Sequence, residues 1–167
     1  MIKNIKLPIL QEDWQLAREV GEKRLKFGKA SKGWGNRTIE QESIGVIGEI
    51  LVCKYFNKKT EFVFGKSDFC DLMIGNKRVD VKTSLMKPYW NIDKLHLLAH
   101  TVSVPKDIYI RVLVECDKKN ALITGWIERE NLEKFAILWE YNKHMLYKLP
   151  MEYLKDIELL KEEKNDN

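Results

Sequence analysis

Asp71, Asp80 and Lys82 are the residues of this 167-residue chain whose types and spacing could do chemistry at one point. The segment Asp71-Leu-Met-Ile-Gly-Asn-Lys-Arg-Val-Asp80-Val-Lys82 reads as a tight hairpin. Leu72 to Ile74 and Arg78 to Val81 are short apolar or β-branched runs, and Gly75-Asn76 suits a two-residue turn that needs positive φ. That turn pairs Ile74 with Lys77, Met73 with Arg78, Leu72 with Val79, and Asp71 with Asp80. Directly opposed side chains have Cβ atoms ~4.5–5.5 Å apart, where like charges repel. Side-chain period two puts Lys82 on the same face as Asp80. Two acids and a lysine on one patch form a place for a hard divalent cation, and a cation there suits phosphate chemistry.

A third acid lies upstream. Glu40 to Phe56 has helical length, Thr38 as N-cap, acids in its first turn, and Asn57 followed by two lysines at its end. It is apolar almost all round from Ile44 to Phe56, which predicts a buried helix. Glu49 is the acid of that stretch, set among Gly45, Val46, Val52 and Cys53, where an unpaired carboxylate is strongly penalised. The bland alternative is a Glu at the rim of the helix reaching water. Gly45 and Gly48 permit another backbone to approach closely.

Glu49, Asp71 and Asp80-Val81-Lys82 together resemble the active-site signature of the PD-(D/E)XK nuclease superfamily: an acid on the first core helix, an acid on the second strand, and acid-X-Lys on the third. The similar stretch runs from about Glu40 to Ser84. No proline precedes the first aspartate, and Asp stands where Glu is commoner in acid-X-Lys; the first departure leaves Asp68 as a rival to Asp71. The resemblance implies an α/β fold with a restriction-endonuclease-like core of the αβββαβ type, a central mixed sheet flanked by helices. It also implies Mg²⁺ or Mn²⁺ as cofactor and DNA as substrate and partner. In that division of labour Asp71, Asp80 and the carbonyl of Val81 hold the metal, and Glu49 holds a second metal or its water. Lys82 orients or deprotonates the attacking water or stabilises the phosphorane, and Thr83 or Ser84 contacts the scissile phosphate.

The elements that must position these residues are those of one domain, 1–161, with a frayed tail at 162–167. Thr60 to Phe64 reads as a first strand. Ile108 to Glu115 and Ala121 to Ile127 read as strands joined by a polar turn, and Glu128 to Leu138 and Met151 to Lys161 read as helices. Residues 85–105 should hold the second core helix, although Pro88 and the run from His100 to Val104 fit strands equally well. There is no apolar run long enough to span a membrane, and the apolar stretch at the N-terminus is too short for a signal peptide, so a cytoplasmic protein without membrane partners is expected. Cys53, Cys70 and Cys116 lack CxxC spacing and read as reduced and structural. His96, His100 and His144 form no ligand pattern with them.

The net charge of +4 is modest, but its distribution is uneven. Lys23 to Arg37 carries six lysines and arginines, no acid, Phe27, Trp34 and three glycines. This basic segment, 23–37, reads as a loop following an N-terminal helix at about 12–27. Lys29, Lys32 and Arg37 suit phosphate contacts and Trp34 suits stacking on unpaired bases; the competing reading is a solvated loop with Trp34 tucked onto the core. Two other function classes stay open beside a nuclease: a nuclease-fold nucleic-acid-binding or phage structural protein that does not cut, and an α/β interaction domain whose aspartates are neutralised by Lys77, Arg78 and Lys82. A homodimer is compatible with all three.

Overall fold

The computed structural model describes residues 3–27, 37–62, 64, 70–101 and 106–165. Lys29, Lys32, Trp34 and Asp68 lie outside the described residues. The fold is α/β, built on a mixed five-stranded sheet. Its strands are β1 (Ile5–Pro8), β2 (Leu72–Ile74), β3 (Lys77–Leu85), β5 (Ile108–Val114) and β6 (Asn120–Glu128), in the spatial order β1-β6-β5-β3-β2. The β3–β5 pair is parallel and the other pairs are antiparallel. A second sheet has the order β4-β8-β7, from β4 (His96–His100), β7 (Ile137–Tyr141) and β8 (His144–Pro150).

The central strand β5 shows how the layers form. Every residue of Ile-Tyr-Ile-Arg-Val-Leu-Val is buried, because both faces of the strand are covered. Ile108, Ile110, Val112 and Val114 join the core cluster that holds Ile47, Ile50 and Leu51 of α2 (Ile39–Tyr55) and Ala17 and Val20 of α1 (Gln11–Lys26). Tyr109 joins the opposite cluster, with Leu97 of β4, Leu149 of β8 and Leu132 of α3 (Arg129–Phe135). Helices therefore pack on one face of the main sheet, and the second sheet with α3 packs on the other.

Both N-terminal helices form close to where the pattern places them. Thr38 caps α2: its hydroxyl accepts from the Gln41 N–H at 3.2 Å, and the Gln41 side chain returns to the Thr38 N–H at 3.0 Å. Buried residues run from Glu42 to Cys53, as expected of a helix apolar all round. The hairpin also forms in the expected register, with Leu72 opposite Val79, Met73 opposite Arg78 and Ile74 opposite Lys77, and Gly75 at φ 59°.

Elsewhere the chain departs from the sequence reading. Residues 60–62 and 64 form no strand; Phe62 and Phe64 instead lie against the basic end of α1, under Arg24 and Lys23. Within 85–105 the described residues, up to 101, hold a short 3₁₀ turn (Ile92–Lys94) and β4, the strand alternative, where the second core helix was expected; 102–105 lie outside the described residues. The helix expected to reach Leu138 stops at Phe135. The β-prone run Ile137 to Tyr141 goes into a hairpin with β8, closed by Asn142 and Lys143 at φ 48° and 65°. Met151 opens only a 3₁₀ turn, because Lys155 bridges the backbone of Trp126 before α4 (Ile157–Asn165) begins. That helix continues through the expected tail to Asn165. Strand β1, not anticipated, covers the outer edge of β6. No helix among the described residues is long and apolar enough to cross a membrane.

Candidate active site

The site forms where strand β2 ends before β3 does. Leu72 is the last residue of β2 paired with β3, so beyond Val79 that edge of β3 has no strand partner among the described residues. Asp71 closes the gap. Its N–H donates to the Val79 carbonyl at 2.9 Å, and its carboxylate accepts from the Val81 N–H at 2.6 Å. The carboxylate thus takes the place of the carbonyl that a longer β2 would have offered. Strict hairpin alternation stops one residue short of the Asp71–Asp80 pair, because Val79 bonds to Asp71 while standing opposite Leu72.

Asp80 and Lys82 are neighbours by strand period, and their side chains meet: Lys82 Nζ lies 2.8 Å from Asp80 Oδ2. Asp80 is buried and Lys82 is half-buried. Burial alone would pull the Lys82 ammonium down, but the charge and hydrogen bond of Asp80, with Asp71 behind, hold it above its ordinary value. Asp80 stands beside Tyr109 across the parallel β3–β5 register. The Tyr109 hydroxyl accepts from Arg129 Nη1 at 3.0 Å, and burial raises its pKa.

Glu49 comes from α2. Gly48, the residue before it, lets the helix sit directly on β3; a Cβ there would lie 1.9 Å from Thr83 Oγ1. Gly45 has open space at its Cβ position, so of the two glycines only Gly48 is needed for the approach. Helix α1 runs antiparallel to α2, with Asp13 bonded to Lys54 at one end and Gly21 against Ser43 toward the other. One turn past Gly21, Arg24 closes on Glu49 with a two-pronged bond, Nη1 to Oε1 and Nη2 to Oε2, both 2.8 Å. Glu49 is 6% exposed. The rim alternative for Glu49 fails: it is a buried carboxylate with a guanidinium partner.

Asp71 senses the other two acids. Burial, then the charges of Glu49 and Asp80, push the Asp71 carboxyl well above the usual carboxylate range, against the Val81 N–H and Lys82. The structure therefore brings Glu49, Asp71, Asp80 and Lys82 into one electrostatic cluster about the free edge of β3. His100 of β4 enters the same cluster from the second sheet. Burial first, and then Lys82, His144 and Arg37, hold its imidazole below the ordinary value, with Asp80 acting in the opposite sense.

Other expected site residues are placed less centrally. Thr83 points to α2, its hydroxyl 3.5 Å from the Gly45 carbonyl, on the face of β3 opposite to Asp80 and Lys82. Ser84 lies on the Lys82 face, where its hydroxyl accepts from Arg111 Nη1 at 3.2 Å. Arg37 is paired with the buried Glu42 at 2.8 Å. Cys53, Cys70 and Cys116 are free thiols. Sequence reasoning missed Arg24, His100 and Arg111 as site residues. Arg24 was hidden inside the basic run, and His100 had no ligand spacing. The signal for Arg111 was a guanidinium in the middle of an apolar strand.

No three His, Cys, Asp or Glu side chains among the described residues converge tightly enough to hold a metal by themselves. Mg²⁺ asks for less: one or two carboxylates, with waters and substrate phosphates completing the shell. Asp71 and Asp80 meet that need in donor type. Burial first, and then two neighbouring acids, raise Asp71, and a hard cation between oxygen donors of this kind would offset the second of these causes. Compared with models of protein families and with curated proteins, the sequence matches none.

Proposed function

We propose that this protein is a metal-dependent nuclease that hydrolyses phosphodiester bonds in DNA, with a restriction-endonuclease-like core of the PD-(D/E)XK type. One observation carries the reading. Asp71, raised by burial and by two neighbouring acids, caps the free edge of the strand that presents Asp80 and Lys82. Of the three acids Glu49 and Asp80 have cationic partners, and a cation beside Asp71 would offset the repulsion that the other two exert on it.

Asp71, Asp80 and the carbonyl of Val81 would hold Mg²⁺ or Mn²⁺, which would supply phosphate charge neutralisation and a water of lowered pKa. Lys82 is the proton-handling and charge-stabilising residue. Its bond to Asp80 fixes the ammonium next to the carboxylates, where it orients the attacking water and balances charge on the phosphorane. Glu49 would position water or a second cation, and the two bonds from Arg24 hold its carboxylate in place. Ser84 stands closer to such a phosphate path than Thr83 does, since it shares a strand face with Lys82. The basic segment 23–37 would grip the backbone beside the cleft.

A second reading rests on the same pairs. Arg24 and Lys82 already neutralise two of the three acids, as a nuclease-fold DNA-binding or phage structural protein without activity would require. The deciding experiment incubates the pure protein with circular, linear, single-stranded and branched DNA in Mg²⁺, in Mn²⁺ and in EDTA. Cleavage that needs the cation and is lost in Asp80→Asn supports the nuclease. Binding without cleavage under every condition supports the second reading.

A further inference from the structure

The second sheet turns one face away from the main sheet. Directly opposed residues of neighbouring strands share a face, and Leu97, Ala99, Tyr147 and Leu149 point into the cluster shared with the main sheet. The alternate positions therefore point outward: His96 and His100 of β4, Trp139 and Tyr141 of β7, and His144 and Lys148 of β8. No carboxylate of these three strands stands on that face, since their one acid, Glu140, falls on the other. Ile137 and Tyr141 are exposed, and Trp139, His144 and Lys148 are half-buried. Leu146, in the middle of the face opposite Trp139, is its one buried residue.

Trp139 and Tyr141 stand side by side on this face, with ring centroids 5.2 Å apart and planes tilted by 32°. Adjoining rings are surfaces on which successive unpaired bases stack; a duplex keeps its base faces stacked on one another and offers none. Lys148 holds its ammonium 5.2 Å from the Trp139 ring centroid, so a phosphate drawn to the lysine lies beside the ring. Lys143, in the turn between β7 and β8, adds a second positive charge. The rings of His100 and His144 meet edge to face at 6.1 Å and extend the aromatic surface toward β4. His100 lies within electrostatic reach of Lys82 and Asp80, so the face adjoins the acid cluster at that end. A face with aromatic rings, lysine and no acid is complementary to an anion that carries flat rings.

We propose that this outer face binds a single-stranded nucleic acid, with its bases stacked on Trp139 and Tyr141 and its phosphates at Lys148. The proposal rests on the nuclease reading in taking a nucleic acid as the ligand, and it adds the strand form: unpaired nucleotides, led past His100 toward Asp80 and Lys82.

Fluorescence anisotropy of the full chain in EDTA tests it, with a labelled single strand of about 15 nucleotides and the blunt duplex of the same sequence. The parent should bind the single strand more tightly. Trp139→Ala should weaken single-strand binding about 5–150-fold and leave duplex binding nearly unchanged. Trp139→Phe, which keeps a ring, should recover most of that loss. Lys148→Gln should lower the slope of log affinity against log salt by about 0.7. If Trp139→Ala does not fold, Tyr141→Ala and Lys148→Gln decide by the same measurements. A parent that binds both forms equally overturns the proposal, as does single-strand affinity that none of these substitutions moves. A parent that sediments as a dimer, and as a monomer once Ile137→Lys is made, assigns the face to a second copy and overturns it too. Cleavage assays in Mg²⁺ keep the two readings apart. Single-strand binding through Trp139 without cleavage of any DNA would sink the nuclease and leave this face standing. A Trp139→Ala protein that binds and cuts as the parent does would have the opposite result.

Discussion

Arg24 and Glu49 meet through both guanidinium Nη atoms and both carboxylate oxygens, at 2.8 Å each, across the interface of α1 and α2. The pair joins the one basic segment of the chain to the acid of its most buried helix. It is also the contact that a metal at Glu49 must share or displace.

Truncating the arginine is the informative change. Arg24→Met leaves Glu49 as a buried charge without that partner, which should lower stability by roughly 2–4 kcal/mol in urea unfolding. If Glu49 serves a cation, millimolar Mg²⁺ should restore more stability to this variant than to the parent. Equal responses would separate Glu49 from the metal.

Asp71 contributes a pH dependence opposite in sign to that of Asp107, whose carboxyl is held low by its hydrogen bonds with Arg78. The folded pKa of Asp71 is raised above the unfolded value of 3.8, so the folded state holds the proton more tightly. The contribution of Asp71 to stability should therefore fall as pH rises from the unfolded value through the folded one, and remain lost above it. Asp71→Asn, which keeps an oxygen for the Val81 N–H, should remove that slope and be the more stable protein at neutral pH without metal. Mg²⁺ should stabilise the parent and not the variant. Urea midpoints across the acidic range, with and without Mg²⁺, check both points.

Lys82→Ala should reduce cleavage by about 10²–10³-fold while leaving DNA affinity nearly unchanged, because the ammonium acts on developing charge more than on bound substrate. Single-turnover rates beside equilibrium binding separate the two quantities. A variant that cuts at the parental rate would remove Lys82 from the chemistry.

Gly48→Ala opposes two effects of known size. Helix propensity favours alanine by about 1 kcal/mol, but the new Cβ would stand 1.9 Å from Thr83 Oγ1 and 3.0 Å from Thr83 Cβ. Overpacking of that kind costs about 1–3 kcal/mol, so net destabilisation is expected, with α2 and Glu49 pushed off β3. Adding Thr83→Ala should recover part of the loss. Additive melting shifts in the double variant would contradict the contact.

In the basic segment, each of Lys29→Ala and Lys32→Ala should flatten the slope of log affinity against log salt by about 0.7–0.9 if it contacts a phosphate. Arg37→Ala should behave differently. It frees the buried Glu42 from its 2.8 Å partner, and its main effect should be a lower melting temperature. Filter binding over a salt series, with a melt for each variant, distinguishes these roles.

Local patterns were enough for α2, the hairpin register and strands β5 and β6. Each depends on neighbours in sequence: a Thr cap bonded to a residue three on, a Gly-Asn turn that sets its own pairing, and apolar runs bounded by turn residues. Asp80 and Lys82 share a face for the same reason, since strand period is a covalent property of the chain. What tertiary packing alone decided was which groups come to meet that face. The Arg24–Glu49 fork needs two helices to close over Gly21, and the approach of His100 needs β4 to pair with β8 some fifty residues later. The fate of His96 to His100 and of Ile137 to Tyr141 was likewise settled by tertiary pairing, because a short apolar run serves as strand or helix until something pairs with it. Asp71 shows the boundary between the two kinds of information. Its spacing from Asp80 is written in the hairpin, but its bond to Val81 exists because β2 stops at Leu72 and leaves an N–H on β3 that a carboxylate can take.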